Sequence, residues 1–301
     1  MRVAILGGTG LIGGALRGSL ADAGHEVVLF AREATAARLQ PEAGTTVVVY
    51  DGRAEGEWVA SLEGADAVVN MAGATIGAMW TPARKEAIRA SRVDLTKTVV
   101  EALRTLADRP RVLVNASGAG YYGDRGDDLL GEDEPPGSDW LARLAADWEE
   151  AAFEAQGLGM RVVTMRTGIV FSREGGSLEL MALPFRFFVG GPLGSGRQWF
   201  PWIHLDDIAG LYRFAVETEA VTGPLNACAG SERQREVARA IGRAMRRPSW
   251  LPAPVFAVRL LYGEFADALS ASQRVSTEKV RSLGYEFQWP EIGPALADVL
   301  G

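Results

Sequence analysis

The chain has 301 residues, of which 48% are hydrophobic and 23% charged, a composition typical of a folded globular protein and not of a disordered or fibrous one. The formal net charge of -7 disfavours sequence-independent binding to nucleic acid, because such binding requires a surplus of lysine and arginine. No apolar run approaches the roughly 20 residues that cross a bilayer. We therefore expect no nucleic-acid partner and no membrane partner.

The amino-terminal stretch MRVAILGG leads directly into a strand-like run and lacks the long hydrophobic region and cleavage site of a signal peptide. Cys228 is the single cysteine, so it cannot form an internal disulfide, and we interpret it as a small buried apolar side chain. A reducing compartment fits both observations. The expected location is the cytoplasm.

Short β-branched apolar runs alternate with longer amphipathic stretches between residue 2 and about residue 170. The runs read RVAIL, EVVLF, TTVVVY, ADAVVN, RVLVN and RVVTM. Continuous apolar runs suit strands that are covered on both faces, so the pattern predicts an α/β fold with a mostly parallel sheet between layers of helices.

The sequence GGTGLIG at residues 7 to 13 follows the first strand-like run and precedes a helical pattern. Glycines at this spacing permit a tight turn, and they let backbone N–H groups approach a pyrophosphate at the helix amino terminus. The alternative is a tight turn without a ligand. The prediction is a dinucleotide loop whose cofactor-binding residues are Gly7, Thr9, Gly10, Leu11, Ile12 and Gly13.

The second strand-like run ends in Ala31 and Arg32, where an NAD-binding protein usually has an acidic residue. An arginine offers a planar fork of donors to the 2′-phosphate of NADP, and no carboxylate is present there to repel it. The pattern therefore favours NADP over NAD. The alternative is that Arg32 is a solvated surface side chain.

Two longer helices have clear boundaries. In TPARKEAIRASRVDLTKTVVEAL, Thr81 is a plausible N-cap and Pro82 occupies the first helical position. In SDWLARLAADWEE, Ser138 or Asp139 can cap a helix with apolar residues at i, i+3, i+4 and i+7. These residues are Leu141, Leu144, Ala145 and Trp148, which predict a packing face.

Further motifs follow along the chain. They are NMAGA at 70 to 74, SGAGYYG at 117 to 123, GSGRQWFPWIHLDDI and LPAPVFAVRLLYGEFADALSASQRV. The sequence resembles the extended short-chain dehydrogenase/reductase superfamily, in its NAD-dependent epimerase/dehydratase-like subgroup of NADP-binding oxidoreductases with a characteristic C-terminal domain. The resemblance implies a Rossmann-type doubly wound parallel sheet with a smaller C-terminal substrate lobe. It also implies NADP as cofactor and a small-molecule substrate.

The resemblance carries roles to individual residues. Ala72 and Gly73 match residues that form a wall beside the adenosine, and Asp51 matches a residue that contacts the adenine. Ser117 matches a serine whose hydroxyl faces the nicotinamide. Ser117 has the alternative of capping a loop. Gly168 completes the expected cofactor contacts. The expected division is a cofactor-binding domain over 1–170, joined by 203–227, and a substrate-side lobe over 171–202 and 228–301.

The superfamily's tyrosine, which transfers the substrate proton, and the lysine four residues later, which lowers the pKa of that tyrosine, are missing. The helix over SDWLARLAADWEE has apolar residues at both positions. Tyr121, Arg143 and Glu149 are possible replacements, and Tyr122 is the chosen catalytic residue together with Ser117. The alternative is that Tyr122 is only an aromatic wall.

The predicted substrate contacts are Trp80, Arg197 and Trp199, with Arg197 available to an anionic group; Arg197 as a surface residue is the alternative. The two histidines exclude a multi-histidine metal site, and His204 is interpreted as packed or capping. The leading interpretation is an NADP(H)-dependent oxidoreductase or epimerase-like enzyme, as a monomer or homodimer. The alternative is a non-catalytic NADP(H)-binding redox sensor.

Overall fold

The structure is a computed structural model that describes residues 1–40 and 43–301. Its strands are β1 (Arg2–Leu6), β2 (Glu26–Ala31), β3 (Thr45–Val49), β4 (Ala67–Asn70), β5 (Val112–Gly118), β6 (Leu129–Leu130), β7 (Arg161–Thr167), β8 (Ile169–Phe171), β9 (Trp199–His204), β10 (Gly223–Ala227), β11 (Gly230–Arg233) and β12 (Arg274–Val275). Its α-helices are α1 (Leu11–Asp22), α2 (Glu33–Ala36), α3 (Pro82–Arg89), α4 (Leu95–Thr105), α5 (Trp140–Phe153), α6 (Ser177–Arg186), α7 (Leu205–Glu217), α8 (Gln234–Met245), α9 (Val255–Tyr262), α10 (Phe265–Ser270), α11 (Glu278–Ser282) and α12 (Ile292–Leu300).

The main sheet has seven strands in the order β10-β7-β5-β4-β1-β2-β3. Every neighbouring pair in it is parallel. The apolar runs of the sequence coincide with these strands, so the predicted parallel α/β fold is confirmed. The strand order reverses at β1, which lies between β2 and β4, and a crevice for a ligand forms at such a point beyond the carboxyl ends of the strands.

Both faces of the sheet are buried, which explains why its strands are apolar without alternation. On one face, residues such as Val3 and Ile5 pack with Leu16 and Leu20 of α1. On the other face, Leu6 belongs to a cluster that includes residues of α4. Deleting a buried leucine side chain of this kind costs about 2 to 5 kcal/mol, so the two clusters stabilise the sheet that carries the carboxyl edge.

The helix predicted from Thr81 onward is present but contains an irregular turn. Thr81 caps α3 by accepting the N–H of Arg84 at 3.2 Å, with Pro82 in the first turn. Between α3 and α4 the chain forms a π-helical turn over Ala90–Asp94. Such turns occur often at functional sites, and this one carries Arg92 into the interior.

The strands outside the main sheet form two smaller sheets. Strands β11, β9 and β8 form a three-stranded sheet, and β12 pairs with β6. The Asp207 carboxylate of α7 accepts the N–H groups of Gln288 and Trp289 at 2.7 and 2.9 Å, which ties the C-terminal segment to the rest. Within residues 1–40 and 43–301, the structure has no helix of the length and apolarity that a membrane span requires.

Candidate active site

The glycine loop fits so closely against its neighbours that larger residues would collide. Gly7 has φ +82°, and a Cβ there would lie 2.6 Å from the backbone nitrogen of Ala72. A Cβ on Gly13 would lie 2.4 Å from the Cα of Gly8. Because such distances are far inside van der Waals contact, the loop requires glycine at both positions. The loop therefore lies directly against the segment that follows β4.

The amino terminus of α1 opens at this loop. Its N-cap, Gly10, has no side chain to accept a hydrogen bond, and the first turn contains no acidic residue. The first N–H groups of a helix have no partner within the helix, so those of Leu11, Ile12 and Gly13 are available. Thr9 and Gly10 are exposed. The arrangement suits the pyrophosphate of a dinucleotide.

Arg32 and Asp51 are exposed at the carboxyl ends of neighbouring strands. Arg32 follows β2 and is the N-cap residue of α2. Across the chain as described, its guanidinium has no hydrogen bond or ion pair, so it is free to bind an anion. Asp51 follows β3 by two residues, and its Oδ1 accepts the N–H of Arg53 at 2.9 Å. The residues thus fit the adenosine half of NADP.

Arg92 places a positive charge behind the same crevice. It is buried, and a Cβ on Gly73 would lie 2.8 Å from its Cζ atom. Its Nη1 donates to the carbonyls of Ala74 and Ile88, while Nε has no partner. Burial lowers the pKa of Arg92 to about 10, which leaves it charged at neutral pH. No carboxylate in the described residues forms an ion pair with this guanidinium.

The Arg32→Ala variant should bind NADPH about 10- to 100-fold more weakly, because it loses a charge-assisted contact worth about 1.5 to 3 kcal/mol. Affinity for NADH, which has no 2′-phosphate, should not change. Fluorescence titration of both cofactors measures the difference. Arg111→Ala, an exposed arginine at the opposite end of the sheet, is the control. Equal affinity of the native protein for the two cofactors would contradict the assignment.

A chain of three buried polar side chains lies at the carboxyl end of β5. Ser117 Oγ donates a hydrogen bond to Glu149 Oε1 at 2.7 Å. Arg166 of β7 donates to both oxygens of the same carboxylate at 2.9 Å. Glu149 and Arg166 are 3% and 2% exposed. Burial alone would lower the pKa of Arg166, but the hydrogen bonds and charge of Glu149 raise it, so the guanidinium stays charged.

Tyr122 belongs to the deeper end of this network. Its side chain is fully buried, and its hydroxyl donates to Asn226 Oδ1 at 2.7 Å and lies 3.0 Å from the carbonyl of Gly131. Arg166 Nη1 donates to the same hydroxyl at 3.0 Å. Burial raises the pKa of Tyr122, although the Arg166 charge opposes the shift. Tyr121, beside it, is partly exposed and lies 3.5 Å below the Arg166 guanidinium.

Helix α5 has the cap and the packing face that the sequence predicts. Asp139 accepts the N–H of Ala142 at 2.9 Å. Leu144, Ala145 and Trp148 are buried. Leu141 lies against the backbone of Gly120, where an added Cβ would be 2.8 Å from Leu Cδ2. In the superfamily that the sequence resembles, this helix carries the catalytic tyrosine and lysine. Here it carries an apolar surface and Glu149 instead. Arg143 is exposed and donates to the carbonyl of Ser138.

The predicted substrate contacts lie in two different clusters. Trp80 packs against Trp140 and Phe265, with ring centroids 4.7 and 5.5 Å away. Trp199 lies between the guanidinium groups of Arg233 and Arg274, at 4.2 and 4.8 Å, and no ring contact joins it to Trp80 in the described chain. Arg197 is exposed.

Three further residues have structural roles. His204 is buried, and its Nδ1 accepts the N–H of Asp206 at 3.2 Å as the cap of α7, which agrees with the packed or capping interpretation. Cys228 is buried, as expected, and burial raises its thiol pKa to about 12. A Cβ on Gly168 would lie 3.0 Å from the Cys228 sulfur and 2.9 Å from the carbonyl oxygen of Pro201, so close packing accounts for this glycine.

Sequence reasoning named Ser117 and Glu149 but missed Arg166, Asn226 and Arg92. Arg166 leaves a signal, since a charged residue near the end of the apolar run RVVTM requires a buried partner. Asn226 leaves none, because its partner lies 104 residues away.

The comparisons with known proteins agree with this geometry. The model of the NAD dependent epimerase/dehydratase family matches residues 3–228, and that of a domain of unknown function, DUF1731, matches residues 253–299. The epimerase family protein SDR39U1 of Mus musculus is 37% identical over 100% of both chains. Its chloroplastic homologue from Arabidopsis thaliana is 36% identical over 100% of this chain and 87% of its own length.

A crystal structure of the human epimerase family protein SDR39U1 (isoform 2) with NADPH superposes with a TM-score of 0.88 at 34% identity. The match covers 100% of this chain and 99% of that one. Together with the parallel sheet and the glycine loop, these matches define a Rossmann-type nucleotide-binding protein. The chain belongs to the NAD-dependent epimerase/dehydratase family, and the resemblance seen in its sequence is confirmed.

Proposed function

We propose that the chain is an NADP(H)-dependent oxidoreductase or epimerase-like enzyme that acts on a small molecule. The single observation that carries this proposal is the buried pair of Ser117 and Glu149, a hydroxyl donating to a carboxylate at the carboxyl end of β5. Arg166 already compensates the buried charge of Glu149, and the same carboxylate also accepts the Ser117 hydroxyl proton in a hydrogen bond, so it is placed to take up a proton. The pair supports catalysis.

NADP(H) is the proposed cofactor. The amino terminus of α1 would hold its pyrophosphate, and Arg32 its 2′-phosphate, with Arg92 adding positive charge from behind Gly73. When bound, the cofactor donates or accepts a hydride at its nicotinamide ring. The NADPH present in the human relative's crystal structure supports this choice.

Ser117 and Glu149 would transfer the proton that accompanies the hydride. In the direction of alcohol oxidation, the substrate hydroxyl gives its proton to Ser117 Oγ as Ser117 gives its own proton to Glu149 Oε1. The substrate O–H bond breaks and an O–H bond forms on the carboxylate. The Ser117 hydroxyl is protonated both before and after the transfer. The two hydrogen bonds from Arg166 hold the carboxylate, and protonation disturbs at least one of them. We therefore expect slow turnover.

The sequence suggests Tyr122 as the proton donor, but the surroundings of its hydroxyl favour the interpretation as an aromatic wall. Its hydroxyl is fully enclosed by Asn226, Gly131 and Arg166 and donates to a protein acceptor. A catalytic acid must reach the reacting oxygen within hydrogen-bond distance. We propose that Tyr122 has a structural role and stabilises the buried network by pairing with Asn226 and Arg166. Trp80, Arg197 and Trp199 stay proposed substrate contacts.

A non-catalytic NADP(H)-binding redox sensor is the second candidate. It is favoured by the apolar residues Leu141, Leu144 and Ala145, which occupy the α5 surface where the usual tyrosine and lysine would stand. A sensor would bind the cofactor tightly and change shape with its redox state without needing a proton-transfer pair.

The deciding experiment combines NADPH titration with NADPH oxidation across a panel of carbonyl compounds and sugar nucleotides. Tight binding with turnover of at least one compound supports the enzyme. Tight binding without turnover in either direction, tested also with NADP and the corresponding alcohols, supports the sensor. Failure to bind NADPH at all would contradict both functions.

A further inference from the structure

Two segments of this acidic protein contain arginines and no acidic residue. Residues 180–205 include two arginines, and residues 237–263 include five, without an aspartate or glutamate in either segment. The whole chain has a formal net charge of -7, so this concentration of positive charge is local. Such a cluster attracts anions over several ångströms.

The second segment forms a groove at the C-terminal end of α8, and the first segment approaches it at Phe188, whose ring lies beside Arg247. The groove is lined by Arg239, Gly242, Arg243, Arg246, Arg247 and Ser249. Arg239 pairs with Glu236, but Arg243, Arg246 and Arg247 have no ion pair with any residue that the structure describes. The Ser249 hydroxyl is buried without a hydrogen-bond partner. Unpaired guanidinium groups beside an unsatisfied hydroxyl suit the oxygens of a phosphate group.

In the chain segments next to this groove, 187–189 and 250–251, five apolar side chains are exposed, and we call them the rim. They are Phe187, Phe188, Val189, Trp250 and Leu251, with exposed fractions of 69%, 54%, 44%, 63% and 41%. Trp250 Nε1 donates to the carbonyl of Phe188 at 3.0 Å, and the Arg247 guanidinium lies 4.4 Å from the Phe188 ring. Phe188 and Trp250 of the rim are therefore joined to Arg247 of the groove.

Phe188 also has a positive φ of 62°, which is unfavourable for a bulky residue, while its side chain stays largely exposed. In the described residues the ring is contacted by the Arg247 guanidinium but stays 54% exposed. Backbone strain of this kind occurs at functional positions more often than elsewhere.

We propose that this surface docks the protein on a membrane containing anionic phospholipid. The arginines would bind the phosphate groups, and the aromatic and aliphatic rim would enter the layer just below the headgroups. An anionic bilayer presents phosphate groups and, just below them, an apolar layer at one surface. The arginines match the phosphate groups, and the Trp, Phe and Leu side chains match the apolar layer. A second copy of the chain fits poorly, since a two-fold contact would bring the arginines of both copies together. This proposal replaces the expectation of no membrane partner, which was drawn from the lack of an apolar run long enough to cross a bilayer.

Sedimentation with vesicles tests this proposal on the full chain. We expect at least tenfold more binding to vesicles of phosphatidylcholine with phosphatidylglycerol than to phosphatidylcholine alone, and less binding as salt rises. The variants Arg243→Glu/Arg247→Glu and Phe187→Ser/Trp250→Ser should each lose about tenfold or more. All four residues are exposed, so both variants should fold, which thermal unfolding checks.

The matched control is Arg104→Glu/Arg111→Glu, which makes the same change in net charge at exposed positions elsewhere. It should bind vesicles like the native protein. Equal loss in this control would mean that net charge alone drives binding and would overturn the proposal. So would the absence of binding to the anionic vesicles, or stabilisation by inorganic phosphate that occurs without vesicle binding.

Discussion

Replacing Arg166 with methionine should lower the free energy of unfolding by about 3 to 5 kcal/mol, because Glu149 would stay buried without its counter-charge. Glu149 is 3% exposed, and Arg166 supplies both of its charged hydrogen bonds at 2.9 Å. Tyr122 would lose a donor as well. Urea denaturation of the native and variant proteins measures the difference.

A double variant separates the pair from the packing around it. In Glu149→Gln/Arg166→Met no uncompensated charge remains, so it should be more stable than Arg166→Met alone even though it carries more changes. If Arg166→Met loses less than about 1 kcal/mol, the network does not stabilise the fold in the way described.

Glu149→Gln should reduce turnover by about a hundredfold or more, because the neutral amide keeps a hydrogen-bond acceptor for Ser117 but takes up no proton. Affinity for NADPH should not change, since the hydrogen bonds of Glu149 in the described residues go to Ser117 and Arg166 and to no residue of the glycine loop. The assay is turnover per folded molecule on whichever compound the native protein converts.

Glu150→Gln is the matched control, because Glu150 is the next residue on the same helix and is exposed. It removes the same charge without touching Ser117 or Arg166, and its turnover should equal that of the native protein. Full activity in Glu149→Gln would mean that the proton passes by another route.

The sheet and the glycine loop could be predicted because their signals are local. Each strand is a continuous apolar run, and the loop requires glycine at Gly7 and Gly13 for reasons that neighbouring backbone imposes. The apolar face of α5 could be predicted in the same way, since the spacing of its apolar residues alone indicates which of them pack. Such features depend on a few consecutive residues.

The hydrogen-bonded network of Ser117, Glu149 and Arg166 could be predicted only in part, because its side chains come from different elements. Ser117 and Glu149 are 32 residues apart, and Glu149 and Arg166 are 17 apart, on a strand, a helix and another strand. Proximity to Ser117 in sequence suggested Tyr122 as the acid. The polypeptide turns between Ser117 and Tyr122, so the Tyr122 hydroxyl instead donates a hydrogen bond to Asn226 on β10.

The central claim is that proton transfer depends on Ser117 and not on Tyr122, and the most direct test compares Ser117→Ala with Tyr122→Phe in one turnover assay. Ser117→Ala should lose about a hundredfold or more in turnover with unchanged NADPH affinity. Tyr122→Phe should lose stability, because Asn226 and Arg166 lose a buried partner, yet keep turnover per folded molecule close to native. The opposite result, an inactive Tyr122→Phe beside a fully active Ser117→Ala, would contradict the claim.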